Sequence, residues 1–326
     1  MQLEKVELCF PELLNSSCRK PEPPHPSIVF FHVLLYFISF LTASLNLLVI
    51  ISISHFRQLH TPTNLLLLSL AVSDFLVGPL VIPVEIFLAN TCWILGDLVC
   101  VLYYLLPVTI ITASVINMVL ISVDRYVAIC DPLRYPTKVT QKVVTICVFL
   151  GWIYSVFYSI FLLYDNLKHP GMYNSCYGEC VIQITGVIDL VLGFAIPITV
   201  IIVLNMRVFV VAVSQIREMR SHIVTVSLKH SDTVKVKKSE IKAARTLGVL
   251  IVVFLMCYSP YYCITLTGYN VMIGSSTERF MIFLMYCNSC LNPIIYAFFY
   301  PWFKKSIRLI VTFQILQPGS CEYNVL

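Results

Sequence analysis

The chain has 326 residues, of which 58% are hydrophobic and only 12% are charged, with a net charge of +5. Its mean hydropathy is +0.85. This composition excludes an ordinary soluble globular protein and predicts a protein that lies in a bilayer. An apolar stretch of about 20 residues spans the hydrocarbon core as a helix, because backbone polar groups must bond to one another there. The fold class expected is therefore an all-α membrane protein.

Residues 1–28 mix charges, prolines and cysteines and contain no apolar core of the kind that a cleavable signal peptide needs. We expect an exposed N-terminal tail. The triplet Asn15-Ser16-Ser17 is an N-glycosylation sequon, and the same tail carries Cys9 and Cys18. Glycosylation at Asn15 and paired cysteines both favour the extracellular side.

Apolar runs that approach or exceed spanning length follow at residues 29–54, 64–89, 99–121, 142–163, 182–213, 247–268 and 279–299. They predict a seven-transmembrane helix domain over residues 29–300. Basic residues cluster on one set of connections, from Arg57 through Lys238 to Arg308, which predicts an extracellular N-terminus and a cytoplasmic C-terminus in a multi-pass protein of the cell membrane. The positive charge then faces anionic lipid, so the partner expected is the bilayer and not nucleic acid.

Residues 301–326 follow the last run. The segment 302–310 has an apolar side and a basic side. It predicts a short amphipathic eighth helix on the inner interface, before a cytoplasmic tail.

Polar and proline residues interrupt the apolar runs, where they are costly and usually functional. They are Asn46, Asp74, Asp124-Arg125-Tyr126, Pro197, Pro260 and Asn292-Pro293-Ile294-Ile295-Tyr296. Each is a weak signal alone. Together they occur one set per helix, in the order of the rhodopsin-like receptors.

A longer pattern narrows this likeness. The run from Asn288-Ser289 through Asn292-Pro293 to Trp302-Phe303 matches NSxxNPxx(Y/H)xxx(Y/F)xWF at every fixed position. Together with Cys9-Phe10-Pro11 in the tail, it resembles the trace amine-associated receptors over nearly the whole chain. The resemblance implies a receptor that detects small amines through a stimulatory G protein and cyclic AMP. Family members that are expressed in sensory neurons are chemosensory, so a chemosensory receptor is expected here. An enzyme is not expected, since HExxH, P-loop and GxSxG motifs are missing from the sequence.

The resemblance also implies roles for the polar residues. Asp74, Asn46 and Asn292 are expected to surround water and a sodium ion in the inactive state, with structural hydrogen bonding as the alternative. Arg125 is expected to pair with Glu240 in the inactive receptor and to contact the G protein in the active receptor. Leu133 is expected to be a second G-protein contact, with a membrane-facing anchor as the alternative. The full switch set expected is Asp124, Arg125, Tyr126, Glu240, Tyr258, Asn292, Pro293 and Tyr296.

Three positions depart from the family pattern. Tyr258 replaces the tryptophan of the CWxP motif, and Asn205 stands where a tyrosine usually supports the active state. Pro107 stands in place of the third-helix aspartate that amine receptors use as counter-ion. The amine must therefore find its counter-ion elsewhere.

Asp189 is the counter-ion that we expect. It lies about two helical turns before Pro197 in an otherwise apolar run, and a carboxylate there is too costly to be incidental. The alternative is a structural hydrogen-bonding residue, or one that faces a water-filled mouth. Glu85 or Asp165 could hold the far end of a diamine; with Asp189 alone the simplest ligand is a monoamine. The other ligand-binding residues expected are Pro107, Thr112, Tyr261, Tyr262, Thr265 and Tyr286.

The cysteines suggest bridges at the outer surface. Cys100, at the outer end of the third helix, is expected to pair in the second extracellular loop with Cys180, which is nearer helix five than Cys176. Cys176 is then left for the tail, where the resemblance favours Cys18 over Cys9. The remaining cysteines, including Cys257, Cys263, Cys287 and Cys290, are expected to be free core residues, and no metal site is expected.

Two other functions compete with an amine receptor. The loss of the third-helix aspartate leaves room for a receptor of a peptide or a lipid, although the second extracellular loop is short for a peptide mouth. A transporter or channel is weakened because no internal repeat is visible. An opsin is disfavoured, since Tyr286 occupies the position of the Schiff-base lysine.

Overall fold

The structure is a computed structural model that describes residues 7–13, 15–21, 26–184, 186–223, 231–266 and 276–325. For residues 218–223, 231–247 and 276–279, and for single positions that include Thr265, only the backbone is described. The described part is mostly helical and has only isolated β-bridges in place of strands. The all-α fold expected from the composition is confirmed.

The helices are labelled here in chain order, and α2 and α5 each contain a π-helical segment. They are α1 (Pro26–His55), α2 (Pro62–Leu76, Val77–Val81 and Ile82–Asn90), α3 (Asp97–Cys130), α4 (Gln141–Leu162), α5 (Gly186–Ile188, Asp189–Ala195 and Ile196–Ile223), α6 (Ser231–Leu266), α7 (Ser276–Phe299) and α8 (Pro301–Val311). Short helical turns at Tyr135–Lys138 and Tyr164–Lys168 lie in the α3–α4 and α4–α5 connections.

Polar caps fix where two of the helices begin. Thr61 accepts a hydrogen bond from the backbone N–H of Asn64 at 3.3 Å, and Pro62 follows it at the first helical position of α2. Thr140 accepts from the backbone N–H of Val143 at 3.3 Å and starts α4 in the same way. Each cap satisfies one of the N–H groups that a helix start leaves open.

The helices pack as one bundle, with contacts of α1 to α2 and α7, of α3 to α2, α4 and α5, and of α6 to α5 and α7. Six helices among the described residues are long and apolar enough to cross a membrane, and α6 adds the shorter apolar segment Gly248–Ile264. Large apolar side chains such as Phe37, Phe149 and Phe157 point outward, where lipid replaces water as solvent. The predicted membrane bundle is confirmed, but three helices extend beyond their apolar runs: α3 to Cys130, α5 to Ile223 and α6 from Ser231.

The π-helical segment of α2 lies where the helix approaches α1 closely. Ser39 donates a hydrogen bond to the carbonyl oxygen of Gly78 at 2.7 Å. A Cβ atom on Gly78 would lie 2.8 Å from the carbonyl oxygen of Ser39 and 2.9 Å from the nitrogen of Ala43. Only glycine permits this approach of two helix backbones.

The chain after α7 has the predicted amphipathic helix and then a segment that folds back. In α8, Trp302 and Phe303 are buried while Lys304 and Lys305 are exposed. Residues 314–325 return to the α1–α2 connection, where Ser320 hydrogen bonds with His55 at 3.0 Å. Val325 is buried there against the core.

Candidate functional site

A cavity of about 490 Å³ opens at the end of the bundle that carries the N-terminal tail. Side chains of α2, α3, α5, α6 and α7 form its walls, and the tail and two interhelical connections also line it. Its size lies in the range of small-molecule sites, which are mostly apolar with a few well-placed polar groups. The predicted ligand-binding residues can be compared with the lining of this cavity.

Asp189 is a carboxylate in the wall of this cavity. The hydroxyl of Tyr158 donates a hydrogen bond to Asp189 Oδ1 at 3.1 Å, and the hydroxyl of Tyr262 also interacts with the carboxylate. None of the ion pairs among the described side chains includes Asp189. The carboxylate is therefore oriented by two phenol groups and has no ion-pair partner among the described side chains.

The π-helical segment Asp189–Ala195 makes room for this carboxylate. Gly193 lies one turn beyond Asp189, and a Cβ atom on it would lie 2.5 Å from Asp189 Oδ1 and 2.9 Å from the Tyr158 hydroxyl. A side chain at position 193 would thus displace the hydrogen-bonded pair. Such π-helical turns are frequent at functional sites.

Most of the predicted ligand-binding residues do line the cavity. They are Asp189, Pro107, Thr112, Tyr261, Tyr262 and Tyr286. The Tyr262 ring stacks on Phe194 with ring centroids 4.3 Å apart, which gives the region around Asp189 an aromatic wall. Thr265 is the exception, because its side chain lies outside the described residues.

Of the two candidates for a second acid, the structure brings Glu85 and not Asp165 to the cavity. Glu85 Oε1 accepts hydrogen bonds from the hydroxyls of Tyr103 at 3.3 Å and Tyr286 at 3.5 Å. Asp165 is exposed on the turn Tyr164–Lys168 and does not line the cavity, so the expectation for Asp165 is wrong. The turn packs on the bundle through Asn166 and Leu167 and leaves Asp165 on its exposed side, a difference that acid content alone cannot reveal.

Tyr158 and Gly193 were not among the predicted site residues. Tyr158 sits in a mostly apolar α4 run, in which the hydrophobic pattern alone does not indicate which residue faces α5. The spacing of Gly193, four residues after Asp189, was a usable signal: a glycine one turn from an intramembrane acid suggests that the acid needs space.

Three disulfides join the tail and the connections around the cavity. Cys100–Cys180 and Cys18–Cys176 form as expected. Cys9 pairs with Cys92, a cysteine that was not among the predicted partners. Among the cysteines expected to be free core residues, Cys257 and Cys290 are buried and Cys287 is partly buried. Cys263 is free but exposed, because it lies on the outer face of α6, so its core placement was wrong.

Asp74 is the centre of a second polar cluster, deeper in the bundle. Its carboxylate accepts hydrogen bonds from Ser289 at 2.8 Å, Asn292 at 2.7 Å and Ser114 at 3.3 Å. Asn46 joins the cluster through a 2.9 Å bond to the Ser289 carbonyl oxygen. The three residues predicted to lie together, Asp74, Asn46 and Asn292, do so.

Several buried polar atoms around Asp74 have no hydrogen-bond partner among the described residues. They are Asn46 Oδ1, Asn292 Oδ1, both amide atoms of Asn288 and the Tyr296 hydroxyl. Buried polar groups are normally satisfied, so these atoms call for water or an ion. Oxygen atoms beside a carboxylate suit a small hard cation, and the donor set therefore fits the sodium ion that the resemblance implies.

Arg125 belongs to a third polar cluster, at the other end of α3. Its guanidinium pairs with Asp124 and also contacts Thr63, while Tyr135 donates to Asp124 Oδ1 at 2.9 Å. Burial raises the pKa of the Tyr135 hydroxyl, which therefore stays protonated and able to donate. The predicted pairing of Arg125 with Glu240 falls outside the described side chains.

Other predicted switch residues lie along the bundle between these clusters. Tyr258 is buried and stacks on Phe254 with ring centroids 4.3 Å apart. Tyr296 is fully buried, and Pro293 lies inside α7. Tyr126 is half-buried beside Arg125. Leu133 is 92% exposed in the α3–α4 connection, free for a partner to contact.

Comparison with known proteins places this geometry among relatives. Residues 45–296 match the model of the 7 transmembrane receptor (rhodopsin family). The chain is 37% identical to trace amine-associated receptor 7f of Mus musculus, over 98% of this chain and 92% of that receptor. It is 38% identical to trace amine-associated receptor 9 of Homo sapiens, over 99% of this chain and 96% of that receptor. The likeness thus includes the tail and every helix of the bundle.

Proposed function

Because this chain belongs to the rhodopsin family of seven-transmembrane receptors, and within it to the trace amine-associated receptors, we propose that it detects a small protonated amine held by Asp189. The family is one of receptors and not of enzymes, as the sequence predicted. The observation that carries the proposal is the Asp189 carboxylate, which lines the cavity with phenol partners and joins none of the described ion pairs.

The apolar walls give the contact with Asp189 its strength. A unit positive charge about 4 Å from the carboxylate gains roughly 4 kcal/mol at an effective dielectric near 20, against about 1 kcal/mol in water. Tyr261 and Tyr262 line the same cavity and offer ring faces to an ammonium group, each contact contributing roughly 0.5–2 kcal/mol. A neutral ligand of the same shape gains neither term, so the cavity favours protonated amines.

Pro107 explains why the ammonium group lies against α5. It is buried in α3 and lines the cavity, but its ring offers neither charge nor a hydrogen bond. Receptors with an aspartate at this position hold the amine against the third helix. In this chain the ligand has the opposite orientation, with its ammonium group at Asp189 and its remaining atoms toward α3 and α7.

Glu85 extends the proposal to diamines. Its carboxylate lines the same cavity as Asp189 but lies on α2, with hydroxyls of α3 and α7 around it. One acid on α5 and one on α2 suit a ligand with an ammonium group at each end. A monoamine uses Asp189 alone, so diamines are expected to be the more potent ligands.

The orientation proposed has the tail and cavity outside the cell and α8 inside. Three disulfides at the tail end support it, because disulfides persist in oxidising compartments. Asn15 is exposed there and is the proposed glycosylation site. Arg125 and Leu133 lie at the opposite end and are the proposed contacts for a stimulatory G protein that raises cyclic AMP.

Activation is proposed to run from Asp189 through the middle of the bundle. Tyr262 interacts with Asp189 and lies one turn after Tyr258 on α6, so an amine at Asp189 acts on the helix that must move. The Asp74 cluster would hold a sodium ion in the inactive state, through Asp74, Asn46 and Asn292, and the ion supplies charge balance to the buried carboxylate. Differential binding of the amine to the active arrangement shifts the population.

A cyclic AMP reporter assay in cells that express the receptor tests the proposal. The ligand panel contains mono-, di- and polyamines, and surface expression is measured on the same cells. We expect Asp189→Asn to reach the surface and to lose about thirty-fold to several thousand-fold in amine potency, because one partner of a desolvated charge pair is removed. Asp189→Glu, the matched control, retains part of it. No response of the unmodified receptor to any amine would favour a receptor for a non-amine ligand.

A further inference from the structure

We propose that the tail, described over residues 7–13 and 15–21, forms a fixed roof over the cavity and that the Cys9–Cys92 disulfide makes this roof a size filter for ligands. The inference rests on the proposed function, because it names the amines that the same cavity admits: small ones that enter without displacing the tail. Bulky amines are excluded although their ammonium group would suit Asp189.

The roof is a short hairpin of the tail paired with itself. The backbone N–H of Cys9 donates to the Cys18 carbonyl oxygen at 2.9 Å, and that of Lys20 donates to the Glu7 carbonyl oxygen at 2.9 Å. Residues 7–9 therefore run antiparallel to residues 18–20, and these two stretches are the arms of the hairpin. A hairpin of this length has little stability of its own in water, so something else must hold it.

Two connections between helices provide the seat of the hairpin. Cys18 donates its backbone N–H to Tyr177 at 2.9 Å, and Tyr177 donates back to the Ser16 carbonyl oxygen at 2.8 Å. On the far side, Trp93 donates to the Gly178 carbonyl oxygen at 2.8 Å. The tail, the α4–α5 connection and the α2–α3 connection thus form one hydrogen-bonded layer.

Each arm of the hairpin has its own disulfide, and each disulfide leads to a different connection. Cys18–Cys176 ties the second arm to the α4–α5 connection, with Cα atoms 5.0 Å apart. Cys9–Cys92 ties the first arm to the α2–α3 connection, with Cα atoms 5.7 Å apart. A single disulfide would restrain only one arm of the hairpin. The two disulfides together restrain both arms and so fix the position of the tail.

The fixed tail faces the ligand. Cys9, Cys18, Arg19 and Pro21 line the same cavity as Asp189. The space between α3 and the tail is therefore bounded by a tail that two disulfides and backbone hydrogen bonds hold in place. The size of the ligand is limited by the tail as well as by the helices.

Gly178 offers a way to disturb the roof without touching a cysteine. Its φ is +105°, which favours glycine, and a Cβ atom on it would lie 2.9 Å from the Cβ and 3.2 Å from the Sγ of Cys9. Alanine at this position strains the backbone and pushes the first arm of the hairpin off its seat.

The test measures access to a reporter thiol, Val108→Cys, in the cavity wall. The reporter is placed in the native chain and in a chain that also carries Cys9→Ser with Cys92→Ser, a pair that leaves no new thiol. Membranes are treated with methanethiosulfonate ethylammonium, which is small, or with a rhodamine-linked methanethiosulfonate, which is bulky. Parent chains without the reporter correct for the free cysteines, of which Cys263 is exposed.

With the bridge intact we expect the small reagent to react and the bulky one to react slowly. Removing the bridge should raise the bulky reagent's rate by about thirty-fold, the factor that corresponds to about 2 kcal/mol and the lower end of what a native disulfide contributes. The small reagent's rate should change by less than about threefold. Equal rates of the bulky reagent in both chains would overturn the proposal. If the serine pair does not reach the surface, Gly178→Ala decides: a faster bulky reaction supports the filter, and an unchanged one overturns it.

The thiol assay uses no agonist, so its result does not depend on whether amines activate the receptor. The receptor could exclude the bulky reagent and yet respond to no amine. That result would support the size filter but contradict the proposed ligand class. For a receptor that does answer amines, 2-phenylethylamine and its N-benzyl derivative complete the test. The loss of the bridge should raise the potency of the derivative relative to the parent amine by about tenfold or more. An unchanged ratio, with reagent access also unchanged, contradicts the filter.

Discussion

Replacing Gly193 with alanine is expected to lower amine potency while leaving the receptor folded. The new Cβ atom would lie 2.5 Å from Asp189 Oδ1 and 2.9 Å from the Tyr158 hydroxyl, closer than a carbon can approach an oxygen. At least one of the two groups must therefore shift, which disturbs the hydrogen bond of 3.1 Å between them. The helix itself does not suffer, since alanine is a better helix former than glycine by about 1 kcal/mol.

The size of the effect follows from the bond that is lost. A hydrogen bond to a charged group contributes about 1.5–3 kcal/mol, and each 1.4 kcal/mol is a factor of ten. If Asp189 is held in place for the amine by Tyr158, Gly193→Ala should reduce potency by about 10- to 150-fold. Tyr158→Phe removes the same hydroxyl without adding an atom and should give a loss in the same range.

Concentration–response curves for cyclic AMP, normalised to surface expression, measure the loss. The decisive comparison adds Gly193→Ala to a receptor that already carries Asp189→Asn. With no charge left to displace, the second substitution should change potency by less than about twofold. An unchanged amine potency of Gly193→Ala would refute a role of Tyr158 in positioning Asp189. An equal loss of potency with and without the Asp189 carboxylate would refute it as well.

Three further predictions concern other parts of the molecule. Cys100→Ser and Cys180→Ser should each abolish surface expression or signalling, measured by surface labelling, because their bridge fixes the connection over the cavity; normal expression of either would contradict this. Arg125→Ala should bind a labelled amine with unchanged affinity but raise no cyclic AMP, since Arg125 lies at the far end of α3; a full response would remove it from the switch. Glu85→Gln should weaken diamines by about tenfold or more and change monoamines by less than about threefold; equal losses would make Glu85 structural.

The order of the helices and several residues of the cavity wall and the polar clusters could be predicted from the sequence. Asp74, Arg125 and Asn292 are polar groups in apolar runs, and their cost in lipid marks them without any structure. Asp189 was found in the same way. The prediction counted two regular helical turns between Asp189 and Pro197, whereas the segment Asp189–Ala195 is π-helical. In a segment that is apolar on nearly every face, hydrophobic periodicity does not show which residues face the bundle. The change from α-helical to π-helical pitch was therefore not predictable.

Contacts between distant segments were also beyond the sequence. Cysteine spacing does not determine connectivity, so the pairing of Cys9 with Cys92 had no signal. The Tyr158 hydroxyl reaches Asp189 only because α4 and α5 have particular rotations. The burial of Val325 depends on a return of the chain toward α1. Each of these features depends on packing, which local composition does not encode.

The claim that Asp189 binds an ammonium group is tested most directly by changing the charge on both partners. Binding of a protonated amine and of the alcohol with the same carbon skeleton is measured on purified receptor in nanodiscs, for the native chain and for Asp189→Asn. The native receptor should prefer the amine by about thirty-fold or more, and Asp189→Asn should bind the two ligands within about threefold of each other. A preference for the amine that survives in Asp189→Asn would place the counter-ion at another residue and contradict the account.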